Sequence, residues 1–302
     1  MADAPSTGVD IDIVVCSDPH AIAVDAAYRF TALSAAAARI GKPFTVALAG
    51  GHTPKELYRL LASSRFRDGV DWANTHLFFG DERCVPVDSP FSNYGMVYES
   101  LIHPLGLPSG NLHRIPAEQS DAERTATDYA TEIAAFFAGE ALPRFDLILL
   151  GMGSDGHCAS IFPGTAALHE KSRWVVRNEP GLEPFVPRIT LTLPIINNAA
   201  NILFLVAGHD KAETAARVLA GAPDPLPSQS VRPSNGFLPG CSTAPLPAYC
   251  FSDPADALNT LALLDLFHHF GPVDHISNIP YTLCQGWGVE NLANVPYHPP
   301  QL

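Results

Sequence analysis

Phe44-Thr45-Val46-Ala47-Leu48-Ala49-Gly50-Gly51-His52-Thr53-Pro54 joins an apolar run to a glycine pair and then to Thr53 and Pro54. A short apolar run reads as a buried strand, Thr53 as a helix cap and Pro54 as a first helical residue. The stretch is therefore one strand-turn-helix step, and the same step recurs on both sides of it. Before it, Ile11–Cys16 is rich in β-branched residues. His20–Ile40 then carries apolar residues at helical spacing and stops at Gly41. After it, the pattern predicts helix over Pro54–Ser63, strand over His76–Phe79, helix over Ala122–Ala138 and strand over Phe145–Leu150. Strand over Ile202–Val206 and helix over Asp210–Leu219 complete the series. Repeated alternation of this kind predicts an α/β fold, a Rossmann-like, mainly parallel sheet flanked by helices. Chemistry in such sheets gathers at the carboxyl ends of the strands.

Composition narrows the partners. The 302 residues are 47% hydrophobic, enough for one sizeable core, and carry a formal net charge of −13. That charge repels nucleic acid and anionic membrane over most of the surface, so an anionic small molecule needs a local cationic site. The acidic start Met1-Ala2-Asp3-Ala4-Pro5 has neither a basic block nor an apolar run, and no stretch approaches membrane-helix length. The expectation is a cytoplasmic protein, monomer or homodimer, with no membrane and no nucleic-acid partner. Six cysteines lie apart without C-x-x-C spacing, and none of the twelve histidines forms H-x-x-x-H with a companion acid. No metal and no cofactor is expected.

Three strand ends carry unusual residues. Gly50, Gly51 and Thr53 fit equally a tight turn or an anion site made by the first amides of a helix. Gly80-Asp81-Glu82-Arg83, with Ser92-Asn93-Tyr94 beyond, sets two acids and a cation at a strand end. Arg83 there could fork onto a phosphate or pair internally with an acid. Gly151-Met152-Gly153-Ser154-Asp155-Gly156-His157 is a glycine-rich loop ending on a residue that exchanges a proton near neutral pH, though a satisfied structural histidine fits it too. Its glycines do not follow the dinucleotide spacing G-x-G-x-x-G. Cys158 reads as buried filler. Arg188 and Lys211 are further cations near strand ends.

Together with Gly151-Met152-Gly153-Ser154-Asp155-Gly156-His157-Cys158-Ala159-Ser160-Ile161-Phe162-Pro163-Gly164 and Pro187-Arg188-Ile189-Thr190-Leu191, these segments resemble the 6-phosphogluconolactonase family over about residues 10 to 236. That family shares a fold group with glucosamine-6-phosphate deaminases and ribose-5-phosphate isomerases. The resemblance implies hydrolysis of 6-phospho-D-glucono-1,5-lactone, a sugar-phosphate lactone, in the oxidative pentose phosphate pathway, without a cofactor. It implies that His157 activates water, with Arg83, Asp81 and Asp155 also in the catalytic set. Gly50, Gly51, Thr53, Ser92, Asn93, Arg188 and Lys211 would hold substrate or its phosphate. Deaminases of the group typically show acid-acid-tyrosine where this chain has Asp81-Glu82-Arg83, and asparagine-glutamate where it has Phe162-Pro163. The lactonase pattern fits better.

The chain changes character after Arg232, beyond which no Lys or Arg occurs. Residues 1–236 are expected to form the lactonase-like α/β domain and 237–302 an atypical carboxyl-terminal tail of unknown role. Asp253-Pro254 with Leu258, Leu261, Leu264 and Phe267 suits one capped helix within that tail.

Overall fold

The computed structural model describes residues 12–220, 224–233, 248–251 and 281–283. The helix expected after Asp253 lies outside these residues.

The chain order is β1 (Asp12–Val15), α1 (Pro19–Arg39), β2 (Phe44–Leu48), α2 (His52–Ala62), β3 (Thr75–Phe79) and β4 (Asp81–Arg83). Then come α3 (Asn93–Val97), a π turn over Tyr98–Ile102, α4 (His103–Leu105), β5 (Leu112–His113), α5 (Ala122–Phe136) and β6 (Leu147–Leu150). The series ends with β7 (Val175–Asn178), β8 (Arg188–Leu191), α6 (Leu193–Ile196), β9 (Ile202–Val206), α7 (Ala212–Ala220), β10 (Ala248–Phe251) and β11 (Tyr281–Leu283).

The main sheet runs β11-β1-β10-β9-β6-β2-β3-β5, and its pairings are parallel. Central strands β2, β6 and β9 are buried along their whole length, as expected of a sheet covered on both faces. One side is covered by α1, whose Asp18 side chain caps the Ala21 amide and whose Ile22, Ala23, Ala26, Ala27 and Phe30 face the core. Two strands of this sheet, β10 and β11, come from the segment after residue 236.

Strand order puts the site in one place. From β2 the chain moves outward to β3 and β5, while from β6 it moves the opposite way to β9. The loops leaving β2 and β6 therefore part, and a crevice opens between their carboxyl ends. A second, antiparallel sheet, β4-β8-β7, stands beside that crevice and pairs Arg83 directly with Arg188.

Candidate active site

Two tyrosines fix the strand ends that rim the crevice. The Tyr58 hydroxyl donates to the Ala49 carbonyl at 2.7 Å and accepts the Ala49 amide at 3.0 Å. The Tyr129 hydroxyl does the same to Phe79, accepting its amide at 2.9 Å and donating to its carbonyl at 3.1 Å. Burial pushes both phenols far up, so they stay neutral donors.

Gly51, at φ 104°, is the residue before α2, and no side chain caps the helix. The expected Thr53 cap is therefore not formed. The helix begins two residues before Pro54, because only glycine takes that backbone shape without strain. The first amides of α2 face the crevice without a capping side chain. Gly50 is held to glycine by contact, since a β-carbon there would collide with the amide group of Asn93.

Glu82 and Asp81 have different duties. Glu82 is buried and accepts the amides of Arg83, Asn93 and Tyr94, each at 2.7 Å, plus the Ser92 hydroxyl at 3.2 Å. It thus closes the start of α3 rather than neutralising Arg83, and burial raises its pKa despite those donors. Ser92 also caps α3 through the Gly95 amide, and Asn93 donates to the Asp81 carbonyl at 2.9 Å and to its Oδ1 at 3.2 Å. Both were expected to touch substrate. They instead stand inside the wall, buried at 4% and 2% exposure, because Glu82 and Asp81 take their polar atoms.

Among the described residues, neither Arg83 nor Arg188 forms an ion pair with an acid. Arg83 donates from Nη1 to the Phe91 carbonyl at 2.8 Å, and Arg188 donates from Nη2 to the carbonyls of Leu182 and Pro184 at 3.2 and 3.1 Å. The Nε of each is buried with no partner among the described residues. Burial first, and then the neighbouring Arg83 charge, lower the Arg188 pKa. Arg83 and Arg188 stand opposite each other on β4 and β8, and two guanidinium groups with spare donors are chemically suited to an anion.

On the other lip lies the loop after β6. Asp155 Oδ1 stands 2.6 Å from His157 Nδ1 and also accepts the His157 amide at 3.1 Å. Burial alone would raise the Asp155 pKa, but the hydrogen bonds and charge of His157 bring it below the ordinary value. With the carboxylate ionised, Nδ1 carries the proton and Nε2 keeps the free lone pair. A β-carbon on Gly153 would collide with the His157 imidazole and lie 2.5 Å from Asp155 Oδ1, so only glycine fits under this pair. The loop is pinned from outside itself. Thr214 donates to the Ser154 carbonyl at 2.5 Å, and Ser228 donates both its amide and its hydroxyl to the Gly156 carbonyl at 3.0 and 2.9 Å.

These pieces enclose a cavity of about 190 Å³. Gly50, Gly51, Thr53, Asp81, Arg83, His157 and Lys211 all line it, and His52 and Ala159 join them. Arg188 lies behind Arg83 and Asp155 behind His157. Cys158, next to the histidine, is fully buried and its thiol is pushed up to about 12 by burial, which makes it inert. Among the described residues no group of three His, Cys, Asp or Glu side chains could hold a metal ion, and no helix is long and apolar enough to cross a membrane.

A family described as glucosamine-6-phosphate isomerases/6-phosphogluconolactonase matches residues 17–238. The chain belongs to this family. A 6-phosphogluconolactonase of Synechocystis sp. is 42% identical over 199 residues, covering 64% of this chain and 80% of that one. The 6-phosphogluconolactonase 3, chloroplastic, of Arabidopsis thaliana is 39% identical over 196 residues, 62% of this chain and 60% of its own length. The solved structure of 6-phosphogluconolactonase from Trypanosoma cruzi aligns with a TM-score of 0.74 at 30% identity, covering 85% of this chain and 99% of that one. Within this family setting, β10 and β11 lie beyond the matched residues, yet they flank β1 in the sheet.

Sequence reasoning passed over Ser160, Thr190, Asn178, Thr214 and Ser228, all of which shape the loop bearing His157. Each is a buried polar residue. Their partners lie far along the chain, so spacing alone gives no signal.

Proposed function

We propose that this protein hydrolyses 6-phospho-D-glucono-1,5-lactone to 6-phosphogluconate, with His157 activating the water. The observation that carries this reading is the Asp155–His157 contact at the lip of a cavity that also holds Arg83 and Lys211. Asp155 fixes the imidazole with Nε2 free, so Nε2 takes a proton from water as the oxygen attacks the lactone carbonyl. The resulting imidazolium, stabilised by Asp155, returns that proton to the ring oxygen as its bond to the carbonyl carbon breaks. Water and lactone are consumed and one hydroxy acid is formed, with no other reactant.

Arg83, Arg188 and Lys211, with the first amides of α2, supply the positive charge for the phosphate and for the tetrahedral oxyanion. Asp81 orients sugar hydroxyls, while Ser92 and Asn93 act through the wall they build. The names of the curated relatives and the family match support the substrate. The proposed state is a monomer or homodimer. The proposed setting is the cytoplasm, where thiols such as Cys84 and Cys158 stay unpaired.

The test generates the lactone in place with glucose-6-phosphate dehydrogenase and follows its loss above spontaneous hydrolysis. Wild-type protein accelerates the loss and His157→Ala does not. Equal rates for both would remove His157 from the mechanism, and an inactive wild type would remove the function. Ammonia release from glucosamine 6-phosphate would point to the deaminase branch of the family instead.

A further inference from the structure

Ser160 lies three residues after the histidine and is 1% exposed. Each of its three polar groups is bound by a different strand of the small antiparallel sheet. Its hydroxyl donates to Asp81 Oδ2 on β4 at 2.5 Å, and its amide donates to Thr190 Oγ1 on β8 at 3.2 Å. Its carbonyl accepts from Asn178 Nδ2 on β7 at 2.8 Å. That same sheet carries Arg83 and Arg188 side by side, and Arg188 in turn faces Asn178. The loop bearing the base and the sheet bearing the cations thus meet at one residue.

The link has a shape that suits transmission of position. Asp81 lines the cavity, and its two carboxylate oxygens are held from opposite sides, Oδ2 by Ser160 and Oδ1 by Asn93. The backbone just before Ser160 is also set apart, because Ala159 sits at φ 47°, a conformation rare for a residue with a β-carbon. Small surrounding displacements at a reacting centre are costly: about 1 Å of misplacement lowers a rate by about 10²-fold.

We propose that Ser160 is the positioning residue that locks the cation-bearing sheet to the His157 loop, through its hydroxyl on Asp81. The proposal rests on the lactonase reading for its kinetic arm only. Ser160→Ala leaves Arg83 and Lys211 in the cavity but frees Asp81 Oδ2 and loosens the loop against the sheet.

The test compares wild type, Ser160→Ala, Asp81→Ala and the double variant in the lactone assay, with the melting temperature of each. Ser160→Ala is expected to lower kcat at least about tenfold with KM changed by less than about threefold, since ground-state contacts persist. If the serine acts through Asp81, the double variant falls no more than about twofold below Asp81→Ala, because contacting residues couple. Ser160→Thr keeps the hydroxyl and recovers part of the lost kcat. A Ser160→Ala enzyme with kcat within about twofold of wild type, or losses that add in full, would overturn the proposal. Should Ser160→Ala fail to fold, Ser160→Cys, whose thiol is only a weak donor to Asp81 Oδ2, takes its place with kcat expected to fall in the same sense; an unchanged kcat there overturns the proposal equally. Should wild type prove inactive on the lactone, the lactonase reading fails by itself. The His157 imidazole nitrogen signals in NMR then decide on Ser160: they shift or broaden in Ser160→Ala, and unchanged signals would sink the assignment.

Discussion

One carboxylate oxygen of Asp155 receives both the ring Nδ1 and the backbone amide of His157, at 2.6 and 3.1 Å. The acid therefore fixes the ring's tautomer and the turn that presents it. Asp155→Asn keeps the shape but can offer Nδ1 a donor instead of an acceptor, which favours the wrong tautomer. The expected outcome is a kcat loss of about 10²-fold or more with little change in KM, read by steady-state kinetics on the lactone.

The pH dependence of this pair has a definite sign. The Asp155 pKa in the folded protein is below the ordinary value, so the carboxylate is charged throughout the neutral range. Its contribution to stability is fully present above the ordinary carboxylate range and is lost as pH falls through the lowered pKa. Denaturant melts of wild type and Asp155→Asn should therefore differ at neutral pH and converge on acidification.

Tyr58→Phe deletes one hydroxyl and leaves two groups of Ala49 unpaired. Because the site is buried, the cost is expected to be about 1–3 kcal/mol in chemical denaturation. Ala49 precedes Gly50 and Gly51, so KM for the lactone should rise more than kcat falls. Tyr129→Phe should cost stability on the same scale, since it strips the same two bonds from Phe79.

Gly153→Ala forces a methyl into the space of the His157 ring and Asp155. Overpacking of this kind costs about 1–3 kcal/mol, yet the larger effect is on geometry. Activity should fall by about 10²-fold or more while the protein remains folded by circular dichroism.

Arg83 and Arg188 lie adjacent with spare buried donors, so inorganic phosphate should stabilise the protein. Saturation at about a hundred times the dissociation constant corresponds to about 2.7 kcal/mol. A thermal-shift titration should show the rise in wild type and lose it in Arg188→Met. The same methionine variant without phosphate should melt close to wild type, because it relieves the repulsion from Arg83 as it gives up two carbonyl contacts.

Much of the main sheet was legible. Phe44–Ala49, His76–Phe79 and Ile202–Val206 are short apolar runs, and they form β2, β3 and β9 within a residue at either end. The three site loops were found for the same reason, since each follows such a run. The small sheet was not legible: β4, β7 and β8 are three or four residues long and carry charges, and β4 pairs with a strand about a hundred residues away. That sheet places Arg188 beside Arg83, which no local pattern encodes. The Thr53 cap failed because Gly51 took a backbone shape that starts the helix earlier. Ser92 and Asn93 stand inside the wall, where Glu82 takes the Ser92 hydroxyl and the Asn93 amide and Asp81 takes the Asn93 side chain, and no local spacing signals those partners.

The clasp of Ser228 on Gly156 joins residues 72 positions apart. It has a consequence for the order of biosynthesis. A nascent chain that has emerged through α7 already contains every residue of the cavity, but not the serine that holds the carbonyl next to the histidine. Such a chain holds the cavity's residues but not yet this clasp, which can form only after residues 227–230 have emerged, when little of the family-matched span, residues 17–238, is left to make.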